Sequence, residues 1–168
     1  MAHYVWMIIN ALLVIGTAVY IYIWLFRPND SAAVLAGKWL AQVAVLLFLV
    51  NVNMYFIFLV IRKTKIRKVK VTLARIARSM MKAHIPLAVA GTSLIVFHGV
   101  VMAWKLGAVI GFGHGKLVTG YASLAMLAIT LFAGVLRRQK ASGWRRTFHL
   151  VSALLFAGLF LLHLFWPI

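Results

Sequence analysis

The 168-residue chain is 65% hydrophobic, has a mean hydropathy of +1.02, and carries eighteen Lys and Arg against one acidic residue, Asp30, for a formal charge of +17. Soluble domains are nearer half apolar, so the long apolar runs exclude an ordinary soluble fold and leave one integral membrane domain, 1–168. The basic residues gather at the ends of those runs, where orientation in the bilayer and contact with anionic lipid account for them and nucleic acid is not needed as a partner.

The first apolar run, 4–26, lacks the basic start of a signal peptide and no small-residue cleavage site ends it, so it is expected to stay as a helix. Tyr20, Tyr22, Trp24 and Phe26 form an aromatic belt at its far end, and Arg27-Pro28-Asn29-Asp30 is turn chemistry. The second run, 39–61, contains Gln42, Asn51 and Asn53. Interhelical hydrogen bonding is the expected role of these amides, with contact to a cofactor or quinone as the alternative. Segment 62–82 follows with nine Lys or Arg, while Ile66, Val69, Leu73, Ile76 and Met80 recur at helical spacing. That pattern predicts a basic amphipathic helix lying in the headgroup region, the alternative being a docking face for an acidic partner.

The third run, 83–104, carries His84 and His98, with Pro86 in its expected first turn and Gly91 midway between the histidines. The loop 105–116 holds Gly107, Gly111, Gly113 and Gly115, but no strand precedes it, which excludes a phosphate-binding loop. His114 in this loop reads as a surface residue. The fourth run, 117–136, has no histidine and is expected to pack between its neighbours. A basic turn, 137–146, leads through Ser142-Gly143 to the fifth run, 147–166, which carries His149 and His163.

Charge sets the expected topology. Nine basic residues lie in 62–82 and five in 137–146, against Arg27, Lys38, Lys105 and Lys116 on the other side. Basic loops stay in the cytoplasm. The fold class is therefore all-α, with five transmembrane helices plus the basic interfacial helix, N-terminus cytoplasmic and C-terminus extracytoplasmic. Helices three and five then run parallel, which puts His84 level with His149 and His98 level with His163.

In each of these two helices the histidines stand fourteen residues apart, close to four turns, so both rings leave one face about 21 Å apart along the axis. Histidine within a span is rare, faces the bundle interior and usually marks function. Four at two equal spacings match two bis-imidazole haem sites stacked across a bilayer about 30 Å thick. A single metal-ion site needs ligands converging within a few Å, and a proton relay would recruit Asp or Glu; the spacing and composition supply neither. With no cysteine in the chain, disulfides, thiolate ligands, Cys-held iron–sulfur clusters and covalent c-type attachment are excluded, so the two expected haem b groups would be held non-covalently. Gly91 is a candidate for haem contact. Lys82, Arg145 and Arg146 are candidates for inner-haem propionates, and Lys105 and Lys116 for outer ones.

On these residues the chain resembles the dihaem transmembrane cytochromes b, including the ferric reductase-like membrane domain of ferric reductases, NADPH oxidases and the membrane subunit of the methionine sulfoxide reductase system. The resemblance rests on the paired fourteen-residue histidine spacing and on Gly143-Trp144-Arg145-Arg146-Thr147-Phe148-His149 followed by His163, which is similar to that family's W-R-x-x-H helix start. The stretch 117–138 resembles its preceding helix, and the likeness covers roughly residues 75–168. The cytochrome b of the quinol–cytochrome c oxidoreductase complex shares the spacing.

The resemblance implies haem iron ligation by His84, His149, His98 and His163 and electron transfer across the membrane. With the chain ending at Ile168, no flavin and NADPH module is expected after the last helix. The expected function is a transmembrane electron-transfer subunit of a larger oxidoreductase assembly in a bacterial cytoplasmic membrane. Its expected partners are quinol or a cytoplasmic flavoprotein on one side and an extracytoplasmic cytochrome or metal centre on the other. The alternatives are a quinol-oxidising or ferric-reductase-type subunit, with a loop-level quinol site using Tyr121 or His114, and a haem-free membrane scaffold or small transporter.

Overall fold

The structure, a computed structural model, describes residues 2–25, 31–140 and 142–167. Among the described residues it is all-helical and without strands: α1 (Ala2–Leu25), α2 (Ala32–Lys63), α3 (Arg67–Ile110), α4 (Gly115–Gln139) and α5 (Gly143–Phe165). The turn expected at 27–30 and the belt residue Phe26 lie outside the described residues, as does the side chain of Trp24.

Helices α2 to α5 are each long and apolar enough to cross a membrane; the described apolar stretch of α1, Asn10–Ile23, is shorter. The most apolar windows of α3 and α5 are each only 6% buried, and those of α2 and α4 only 17% and 22%. Side chains such as Phe97 (65% exposed) and Val109 (80% exposed) therefore face outward. Apolar surface on that scale belongs against hydrocarbon, where helices also satisfy their own backbone groups.

Several element boundaries differ from the sequence expectation; of the loop expected at 105–116, residues 105–110 continue α3 and 115–116 open α4. The basic segment is not a separate element: it runs into the third apolar run as one 44-residue helix, α3. Residues 67–82 contain neither Gly nor Pro, and Lys and Arg are good helix formers, so nothing interrupts the turn-to-turn bonding. Pro86 is accordingly inside the helix and not in its first turn; it withdraws one N–H from the carbonyl of Lys82 without ending the helix. At 44 residues α3 is more than twice the length that hydrocarbon alone requires, about 20 residues. Helix α2 begins at Ala32, seven residues before the expected start of the second apolar run at Trp39. Helix α5 begins at Gly143, because the Ser142 hydroxyl accepts from the N–H of Arg145 and caps it.

The chain divides into two compact units, Met1–Phe97 and His98–Ile168. In the first, α1 packs on α2 and an amide pair joins them: Asn10 Nδ2 donates to Asn53 Oδ1 at 2.7 Å, while Asn53 Nδ2 donates to the Leu49 carbonyl at 2.9 Å. Gln42 is buried on the same helix. Gly91 of α3 is covered by Phe48 of α2, whose ring would lie 3.2 Å from a Cβ placed on the glycine. The missing side chain at Gly91 lets α2 and α3 approach closely at this point.

In the second unit, α4 and α5 form an antiparallel hairpin around Leu117, Leu127, Ala133 and Phe156. Its buried hydroxyls return to their own helices: Ser123 to the Thr119 carbonyl at 2.7 Å, Thr130 to Met126 at 2.8 Å, and Ser152 to His149 at 3.1 Å. A cation clasps each end of the hairpin. Lys116, at the start of α4, donates from Nζ to the Leu164 and Trp166 carbonyls at 3.1 and 2.9 Å. Arg145, at the start of α5, donates from Nη1 to the Leu136 carbonyl at 2.7 Å. Each helix thus supplies a positive charge to the negative C-terminal end of the other and satisfies carbonyls left over by the helix pattern.

Replacing Lys116 with Met keeps the stem and removes both bonds. Thermal unfolding in detergent is expected to show a loss of about 1–2 kcal/mol. An unchanged midpoint would mean that the clasp carries no weight.

Candidate functional site

His149 and His163 point from α5 onto α4, and each is held the same way. His163 Nδ1 lies 2.9 Å from the carbonyl oxygen of Lys116, and His149 Nδ1 lies 3.2 Å from that of Thr130. A carbonyl only accepts, so in the neutral ring Nδ1 carries the proton and the lone pair sits on Nε2. The same fixing of one ring nitrogen by a backbone oxygen is what orients histidines that bind metals through the other.

The two contacts form a repeat. Lys116 and Thr130 are fourteen residues apart, as are the two histidines, and so are Gly120 and Gly134. A Cβ on Gly120 would stand 3.0 Å from His163 Cε1, and one on Gly134 would stand 3.4 Å from His149 Cε1. The reason is helical: residues i and i+4 lie one above the other, so a ring that reaches the carbonyl of residue 116 or 130 leans over residue 120 or 134. Helix α4 is therefore more than packing. It carries two carbonyl acceptors and two vacated positions in register with the histidines of α5. Gly120 and Gly134 were readable in the sequence by their spacing; the carbonyls, being common to every residue, were not.

His98, in the same unit, faces His163: the ring centroids are 6.5 Å apart with an interplanar angle of 70°. A metal–imidazole bond is about 2.0–2.1 Å long, so with the ring centre roughly 1 Å behind the ligating nitrogen, two imidazoles opposed across one ion have centroids about 6 Å apart. The observed separation fits one metal ion between these rings. Among the described residues no three His, Cys, Asp or Glu side chains gather as a metal site. Two rings could serve a group that brings the rest of its own ligands with it.

His84 belongs to the first unit. Its Nδ1 lies 3.1 Å from Asn51 Oδ1 on α2, and donation to that amide oxygen again places the lone pair on Nε2. Asn51 thus supports a ring and Asn53 joins two helices, both within the hydrogen-bonding role expected of these amides.

The cations named as propionate contacts are placed unevenly. Lys116 and Arg145 point at helix C-termini, as described above. Lys105 lies over the Trp104 ring, its Nζ 4.1 Å from the centroid. Lys82 and Arg146 are exposed. His114 is the N-cap of α4: its Nδ1 accepts from the Lys116 N–H at 3.2 Å. Tyr121 is 43% exposed on α4.

The glycines give a test that depends only on packing. Gly120→Ala forces the His163 ring, already tied at 2.9 Å, to yield by a few tenths of an ångström, and is expected to cost on the order of 1 kcal/mol in thermal unfolding. Gly134→Ala meets ordinary contact at 3.4 Å and gains the helix preference of alanine, so it is expected to be neutral or to stabilise by up to about 0.5 kcal/mol. Equal losses at both positions would break the assigned register.

No family model, no curated protein and no solved structure matches this chain.

Proposed function

We propose that the chain is a membrane electron-transfer subunit, a b-type cytochrome of five transmembrane helices holding two haem groups by histidine. The observation that carries the reading is the facing of His98 and His163 at a centroid separation of 6.5 Å, with His163 turned by its Nδ1 bond so that Nε2 is the ligating atom. His84 and His149 are proposed as the second ligand pair. The support is the repeated fourteen-residue spacing in the sequence and the oxygen acceptor that each ring has at Nδ1, Asn51 Oδ1 and the Thr130 carbonyl.

A haem bound in this way supplies one-electron ferric–ferrous chemistry. Held by two histidines, such a group would be suited to electron relay and not to oxygen binding. Oxygen acceptors at Nδ1 hold His84, His149 and His163 in one tautomer, and Gly120 and Gly134 keep α4 clear beneath the two α5 rings. Haem propionates would be met by Lys105, Lys82 and Arg146, since Lys116 and Arg145 clasp helix ends.

The basic last turns of α2 (Arg62, Lys63) and α4 (Arg137, Arg138), with the basic start of α3, favour a cytoplasmic placement for those ends and an N-terminus inside. Electrons would pass between quinol or a cytoplasmic flavoprotein and an extracytoplasmic cytochrome or metal centre.

The purified protein is expected to show low-spin b-type bands that sharpen on reduction, with two haems per chain. His98→Ala and His163→Ala should each remove the same haem and keep the other; His84→Ala and His149→Ala should remove the second. A colourless wild-type preparation, or loss of both haems from one change, would overturn the assignment.

A further inference from the structure

The two halves of the α4–α5 repeat differ beside the glycine. Thr119 precedes Gly120, and fourteen residues on, the position before Gly134 is Ala133. Thr119 is buried, and its Oγ1 lies 3.3 Å from His163 Nδ1, beside the Lys116 carbonyl at 2.9 Å. The hydroxyl has backbone acceptors for its own proton, the Gly115 carbonyl at 2.8 Å and the Lys116 carbonyl at 3.0 Å. With that proton directed back to the helix, Oγ1 presents a lone pair to the ring and accepts from Nδ1–H. His163 thus donates one proton to two oxygens. Alanine at the matching position has no hydroxyl to offer.

We propose that Thr119 is a positioning residue that tunes His163 as an axial ligand, lowering the reduction potential of the haem that His163 holds. The inference rests on the haem reading and extends it to the inequality of the two sites. The physical cause is polarisation. A second acceptor at Nδ1 draws the proton outward and raises the basicity of Nε2, which favours the more highly charged ferric state. The hydroxyl meets the imidazole at Nδ1 and would act on the bound group only through it.

The test is a potentiometric titration of the haem absorbance in the full chain, comparing wild type with Thr119→Val, Thr119→Ala and Thr119→Ser. Valine keeps the shape and removes the hydroxyl. Alanine copies the residue the helix already carries at position 133 and serves if valine displaces the ring. Serine keeps the hydroxyl.

Valine and alanine are expected to raise the midpoint of one component, the one that His163→Ala abolishes, and to leave the other in place; serine should leave both. An unmoved or lowered midpoint in the valine and alanine variants, an equal shift of both components, or a serine shift as large as that of valine overturns the inference while leaving the haem reading intact. A wild-type chain that binds no haem overturns both.

Discussion

The hydrogen bond from a histidine Nδ1–H on α5 to a backbone carbonyl of α4, made over a glycine, is the constraint on which the second unit depends. It occurs twice, at His163 and His149. In hydrocarbon a side-chain N–H has no water to fall back on, so an imidazole either finds an acceptor or carries the cost of an unmade bond. The carbonyl meets that need and at the same time decides which ring nitrogen carries the proton. Structure and chemistry are thus set by one contact. At His163 the glycine beneath is a steric condition, since a Cβ on Gly120 would stand 3.0 Å from the ring, whereas at His149 a Cβ on Gly134 would make ordinary contact at 3.4 Å.

Because the contact repeats at fourteen residues on both helices, it also fixes how α4 and α5 lie against each other. A slip of one turn would bring a ring onto a side chain in place of glycine. The clasps at the two ends, Lys116 on the last carbonyls of α5 and Arg145 on that of α4, hold the same register by charge. Neither would be strong on a water-exposed surface. Near a membrane boundary, where the helix-end carbonyls have fewer partners, each counts for more. The placement of Lys116 and Arg145 also separates them from the proposed propionate contacts, which fall to other cations.

The first unit solves the same problem by other means. Its polar groups are amides: Asn53 meets Asn10, and Asn51 meets His84. An amide can both donate and accept, so it can join two helices or support a ring without a fixed carbonyl geometry. Gly91, midway between His84 and His98 on a histidine-bearing helix, stands against the Phe48 ring of α2.

Composition and hydropathy were enough to give a helical membrane chain, because a bilayer admits few other solutions for a chain this apolar. Four of its helices have the length and composition that such a chain needs. The histidine spacing was legible for the same reason that heptads are, since a helix turns a sequence interval into a direction. The third helix was misjudged in its extent because charge patterning signals a change of environment, from headgroup to hydrocarbon, and backbone bonding is indifferent to that change. What the tertiary structure alone decided is the partner of each polar group: Lys116 on a helix end, Phe48 over Gly91, His98 across from His163, and Thr119 beside one histidine of the repeat. Those choices depend on the register between helices, and register is a property of two packed surfaces that no single stretch of sequence contains.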